Sequence, residues 1–122
     1  MTRLPTEHVI LISIDALRPE FCRDERWPMP TLQQLASEGV HAEAVRSVFP
    51  SLTYPAHTTI VTGALPARHG ILHNRPFESA GQTGRWIWEA SAIRSPTLWD
   101  AVRTAGGTTA AISWPVTVGA DI

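Results

Sequence analysis

The sequence holds a single cysteine, Cys22. An intramolecular disulfide framework and a cysteine-rich zinc site are thereby excluded, which leaves histidines and carboxylates as the available metal ligands. The chain also lacks a charge excess: 10 Lys+Arg stand against 11 Asp+Glu, for a formal net charge of -1 and a pI near 6.5. Such a balance offers no basic field to a polyphosphate backbone, so a nucleic-acid polymer is not an expected partner and any phosphate recognition must be local. Long apolar runs are missing as well. The longest, Val9 to Ile12, is far too short to span a bilayer. The opening Met-Thr-Arg-Leu-Pro-Thr-Glu-His shows neither an apolar core nor a cleavage site of the secretory kind, so a cytoplasmic location is the expectation. What is present, 43% hydrophobic and 17% charged residues over 122 positions, describes a globular sequence of at most one domain and excludes disorder.

Along the chain, His8 to Ile14 is a β-branched run that predicts a parallel strand buried on both faces, with Asp15 at its C-terminal end. The carboxyl ends of such strands form the crevice in which open α/β sheets bind ligands. Pro30 to Glu38 predicts a short amphipathic helix, with Leu32, Leu35 and Ala36 at helical spacing and Gly39 as its stop. Val40 to Val48 alternates apolar and polar residues and predicts a second strand. A helix from about Pro55 to Thr62, stopped by Gly63, follows, with Thr53 at or just before its start. The stretch 63–83, rich in Gly, Pro, His and Asn, is expected to be an irregular functional loop. Ser95 as cap and Pro96 as first residue predict another helix, ended by Gly106 and Gly107, and Thr108 to Ser113 predicts a third strand. The order implies an α/β fold with a mainly parallel sheet and flanking helices. Too few helices follow to cover both faces of that sheet, so residues 1–122 are expected to be the N-terminal segment of a single larger catalytic domain, truncated at its C-terminus. An exposed sheet edge at the cut would favour self-association.

Three polar residues stand where chemistry is feasible. Asp15 is a hard anionic donor on a rigid element, suited either to a divalent cation or to capping the next helix. Thr53 places a hydroxyl at the positive end of a helix dipole, either as an ordinary N-cap or as a nucleophile. The second role requires a base or a metal to lower its pKa. Asn74 can hold a phosphate oxygen or simply serve its Gly/Pro-rich loop as a turn residue. His57, His69 and His73 suggest a ligand cluster only weakly, since such histidines more often bond the backbone. Trp86 and Trp88 are core residues or stack on a base.

Taken together, Val9 to Pro19 (VILISIDALRP), Pro30 to Gly39, Phe49 to Gly63 (FPSLTYPAHTTIVTG), Pro66 to Ile71 (PARHGI), Pro96 to Asp100 and Ser113 to Gly119 resemble the nucleotide pyrophosphatase/phosphodiesterase family of the alkaline phosphatase superfamily. The resemblance implies zinc-dependent hydrolysis of phosphodiester or pyrophosphate bonds in a small nucleotide or diester substrate. Two zinc ions would lie at the carboxyl end of the sheet, and a metal-bound threonine would form a phospho-enzyme intermediate. It assigns Asp15 as a zinc ligand, Thr53 as both nucleophile and zinc ligand, and Asn74, 21 residues after Thr53, as the holder of a phosphate oxygen. The family's remaining zinc ligands lie downstream of Gly119, so the chain is expected to hold only part of the site. The other readings are a phosphonate or phosphomonoester hydrolase of the same superfamily, or a catalytically inert fragment that needs a partner. Many relatives are extracytoplasmic, which makes export of the parent protein compatible with the resemblance. Where many relatives have Asp-Gly and Pro-Asn-His, this chain has Asp15-Ala16 and Pro55-Ala56-His57. Both changes are expected to be tolerated, because neither removes a charge or a ligand.

Overall fold

The computed structural model describes residues 8–79 and 84–122, so the leader 1–7 and the end of the expected loop, 80–83, lie outside the described residues. The chain divides into two compact units, Met1–Val45 and Arg46–Ile122. The first contains α1 (Pro30–Glu38), with Pro30 at the start and the Gly39 N–H closing it on the Leu35 carbonyl at 3.0 Å. Proline is favoured at a helix start because its fixed φ is already helical and its missing N–H had no intrahelical partner to lose. None of the residues of α1 is buried.

The expected strands carry no ladder among the described residues, and the mainly parallel sheet is therefore not seen among them. The apolar side chains of the first run stay largely exposed, with Val9 85% and Ile10 83% accessible, and Val45 and Ile112 in the other two runs are similarly open. A strand has no internal hydrogen bonds, so an apolar run becomes one only where neighbours satisfy its backbone and cover its faces. The isolated bridge described is parallel, between Glu89 and Val118, with Val118 N–H donating to Trp88 O and Ala90 N–H to Val118 O, both at 2.9 Å.

In the second unit, α2 (Thr53–Thr62) and α3 (Pro66–His69) pack against each other. Gly63 and Gly70 end them in the left-handed conformation, at φ 62° and 85°, each returning its N–H to a carbonyl of the helix just completed. That conformation is open to glycine at no steric cost and disfavoured for other L-residues. The two positions differ in surroundings. A Cβ at Gly63 meets nothing within 4 Å, whereas one at Gly70 lies 3.0–3.2 Å from Cδ, Nε and Cγ of Arg94. Gly63→Ala is expected to cost about 1 kcal/mol and Gly70→Ala measurably more, since the second must also displace Arg94. Urea midpoints of the two variants check the order.

The last helix, α4 (Leu98–Thr104), begins later than the sequence predicts. Its cap is Thr97 and not Ser95: Asp100 N–H donates to Thr97 Oγ1 at 3.3 Å, and Thr97 N–H donates to Asp100 Oδ2 at 2.7 Å. This reciprocal pair satisfies a first-turn amide and the cap's own N–H together, which Ser95 followed by proline does not. The Thr97 hydroxyl and backbone N–H also hold the Asp100 carboxyl below the usual carboxylate range. Tyr54 of α2, Ile71 and Val116 form a buried cluster, with Trp86, Ile87, Ala92 and Ile93 packed against it. No described helix is long and apolar enough to cross a membrane.

Candidate active site

Thr53 is the first residue of α2, half-buried, and its helix is capped by Leu52 without a side-chain hydrogen bond. The N-cap role that the sequence left open for Thr53 is therefore not the one it fills. Its hydroxyl sits inside the first turn, where the helix dipole is most positive. Two further groups converge on this turn. His57, one turn on and 8% exposed, places Nδ1 2.8 Å from the Thr53 carbonyl, an acceptor that requires the proton on Nδ1. The imidazole also meets the Trp114 ring edge-on, with centroids 5.1 Å apart. Asn74 comes from the loop 20 residues beyond Tyr54, and its Oδ1 accepts the Tyr54 N–H at 2.9 Å.

That hydrogen bond settles which way the Asn74 carboxamide points. An N–H donor must face oxygen, so Nδ2 and its two donor hydrogens occupy the other side. It also changes what the helix start offers an anion. The Tyr54 amide is committed to Asn74 and Pro55 has no N–H, so the donors brought here belong chiefly to side chains. The Asn74 backbone is pinned in turn, its carbonyl accepting Ile87 N–H at 3.1 Å. On one side of the turn the Tyr54 ring packs against Trp86, 5.3 Å between centroids, and Trp86 against Trp88 at 6.4 Å. The Arg75 guanidinium lies 5.0 Å from the Trp86 ring centroid.

His69 supports this arrangement from below. It is wholly buried in α3: Ile71 N–H donates to Nδ1 at 3.1 Å, which leaves the proton on Nε2, 3.0 Å from the Thr59 hydroxyl on α2. Burial pushes its pKa below the ordinary imidazole value, against the opposing influence of the Pro55 backbone. A second ring proton would also confront the Ile71 N–H. Because the folded-state pKa is the lower one, stability is full above the unfolded value of about 6.5 and is lost as pH falls below it. Urea titrations between pH 7.5 and 5 are expected to show this decline, and His69→Gln to flatten it.

Of the residues singled out in the sequence, Thr53 and Asn74 meet at one helix start, separated in the chain but joined through Tyr54. Asp15 lies in the first unit, exposed in the turn closed by Leu17 N–H on Ile14 O at 3.3 Å. The following Ala16 sits at φ 60°. Alanine pays about 1 kcal/mol there relative to glycine, so the exchange of glycine for Ala16 keeps every ligand but carries a backbone cost. Asp15 and Thr53 are oxygen donors of the kind divalent cations accept, yet a catalytic zinc takes about three protein ligands. Among the described residues no group of three or more His, Cys, Asp and Glu is placed to hold a metal ion. Both ring nitrogens of His69 serve the protein, and Nδ1 of His57 does as well. The roles of His57 and His69 in holding α2, and the seat of Arg75 on Trp86, had no sequence signal beyond the presence of those residues.

A family model described as type I phosphodiesterase / nucleotide pyrophosphatase matches residues 9–121. A bis(5'-adenosyl)-triphosphatase of Xenopus laevis is 40% identical over 78 residues, 64% of this chain and 17% of that protein. An ectonucleotide pyrophosphatase/phosphodiesterase family member 3 of Mus musculus is 37% identical over 70 residues, 57% of this chain and 8% of that protein. Venom phosphodiesterase 2 of Crotalus adamanteus is 32% identical over 91 residues, covering 75% and 11% respectively. The chain thus spans less than a fifth of the length of each of these relatives.

Proposed function

Because the chain belongs to the type I phosphodiesterase / nucleotide pyrophosphatase family, we propose that it is part of an enzyme that hydrolyses phosphodiester or pyrophosphate bonds in small nucleotide-like substrates, with Thr53 as nucleophile. The observation that carries this reading is the hydrogen bond from Tyr54 N–H to Asn74 Oδ1, which brings the Asn74 carboxamide to the first turn of the helix that Thr53 begins. Thr53 Oγ1 attacks phosphorus and gives up its proton to solvent water as the bond forms. The bond from phosphorus to the leaving-group oxygen breaks with its electron pair, giving a phospho-threonine. Water then attacks phosphorus, the bond to Oγ1 breaks, and the hydroxyl is restored. Asn74 Nδ2 and the Thr53 amide orient the non-bridging oxygens, and fixed donors of this kind act without reorganising during the reaction.

Zinc, for which the family resemblance assigns Asp15 and Thr53 as ligands, would lower the pKa of the Thr53 hydroxyl and neutralise charge on the transferring group. The family is alkaline-phosphatase-like and consistent with an α/β fold. We infer that the runs 8–14, 40–48 and 108–113 become strands where partners satisfy their backbones and cover their faces. The test is hydrolysis of bis-p-nitrophenyl phosphate against p-nitrophenyl phosphate by the full-length protein, before and after chelation and with zinc restored. Chelator-sensitive diester turnover that zinc rescues is the expected result. Preference for the monoester would assign the protein to the phosphomonoesterase branch instead, and turnover indifferent to chelation would remove the metal from the reading.

A further inference from the structure

We infer that His57 is a positioning residue for turnover: with Asn74 it grips both ends of the peptide between Thr53 and Tyr54, and so fixes the direction in which the Thr53 side chain leaves the helix; this rests on the reading of Thr53 as nucleophile just given. The Thr53 carbonyl and the Tyr54 N–H belong to one planar peptide group. His57 Nδ1 donates to that carbonyl at 2.8 Å, and Asn74 Oδ1 accepts from that N–H at 2.9 Å. One of these side chains comes from the next turn of α2 and the other from 20 residues beyond Tyr54, so the two ends of the plane are held from different parts of the chain.

The usual restraints of a helix start are missing from this turn. Leu52 caps α2 without a side-chain hydrogen bond, and the first turn has no acidic residue to meet the dipole. Pro55 has no N–H with which to tie it down. Rotation of the 53–54 peptide about its flanking bonds would re-aim the Cα–Cβ bond of Thr53 relative to the rest of α2. A branched Cβ leaves threonine few χ1 wells in a helix, so once that peptide is fixed the hydroxyl has few directions left. The grip is itself anchored. His57 is 8% exposed, and its imidazole meets the Trp114 ring at 72° with centroids 5.1 Å apart. The Trp114 carbonyl accepts the Thr117 hydroxyl at 2.8 Å, and Val116, two residues on, lies in the same buried cluster as Tyr54. In-line attack on phosphorus tolerates little error in this placement: a shift of about 1 Å costs on the order of 100-fold.

The experiment separates the donor from the ring. His57→Phe keeps an aromatic ring against Trp114 and removes the donor, whereas His57→Asn sets a carboxamide N–H at the place of Nδ1 and removes the ring. For the full-length protein, both variants and Thr53→Ala, kcat and KM are measured on bis-p-nitrophenyl phosphate, with thermal unfolding midpoints alongside. His57→Phe is expected to lose about 10- to 100-fold in kcat while KM stays within about twofold. His57→Asn is expected to recover most of that kcat in spite of the lower midpoint that loss of a buried ring brings. A wild-type kcat in His57→Phe overturns the inference whether or not His57→Asn folds, and a lowered kcat at unchanged KM and midpoint upholds it. Activity that follows the midpoints, with His57→Asn the slower variant, also overturns it, because a residue that only supports the fold behaves in that way. Either failure leaves Thr53 in its role so long as Thr53→Ala is inactive; retained turnover in Thr53→Ala overturns the functional reading and this inference together.

Discussion

Thr53→Ala is expected to lower turnover of bis-p-nitrophenyl phosphate by the full-length protein about 1000-fold or more, with folding preserved. Loss of a covalent nucleophile removes the reaction path itself, and what remains is catalysis by binding and fixed donors alone. The structure explains why the fold should survive the change. Thr53 is a half-buried first-turn residue and not the cap of α2, and alanine is the better helix former at that position. A thermal unfolding midpoint within a few degrees of wild type, together with absence of a trapped phosphoryl-enzyme in the variant, is the anticipated pair of results. Retained turnover would reject Thr53 as the attacking group.

The second large effect concerns Asn74, where two variants separate function from stability. Asn74→Ala removes the acceptor of the Tyr54 N–H and leaves that amide without its partner, at a cost of about 1–2 kcal/mol. Asn74→Asp keeps an oxygen in the same place, so the helix start remains held. It exchanges the two Nδ2 donors for a carboxylate that repels phosphate. Both variants should lose about 100-fold or more in kcat/KM, the scale of a removed transition-state donor. The ordering is the informative part: Asp should be the more stable variant and at least as inactive as Ala. If activity instead follows stability across the pair, Asn74 is a loop-holding residue and does not contact substrate.

Helices α1 and α2 were legible in the sequence because their signals are local. Proline near the start and glycine past the end act through φ angles of single residues, and such preferences need no distant partner. Helix α4 was legible in existence but not in its start, since Ser95 and Thr97 are both capping residues. Only the reciprocal bonds of Thr97 with Asp100 separated them. The predicted strands behaved differently. A β-branched run such as His8 to Ile14 reports a capacity for pairing, while the pairing itself depends on chain that the run cannot specify.

For the site, the sequence by itself determined the candidates Asp15, Thr53 and Asn74 and the family they belong to, through ordered motifs spread over nearly the whole chain. The tertiary structure alone decided how the second unit holds Thr53 and Asn74. It placed Asn74 on the Tyr54 amide across 20 residues, turned His57 to the Thr53 carbonyl, buried His69 between α2 and α3, and set Arg75 on Trp86. The physical reason is reach. Backbone preferences and capping act within about one helical turn, whereas a contact between residues 10 or 20 apart exists only where packing has already brought their elements together, at a chain-entropy cost that the local sequence does not reveal.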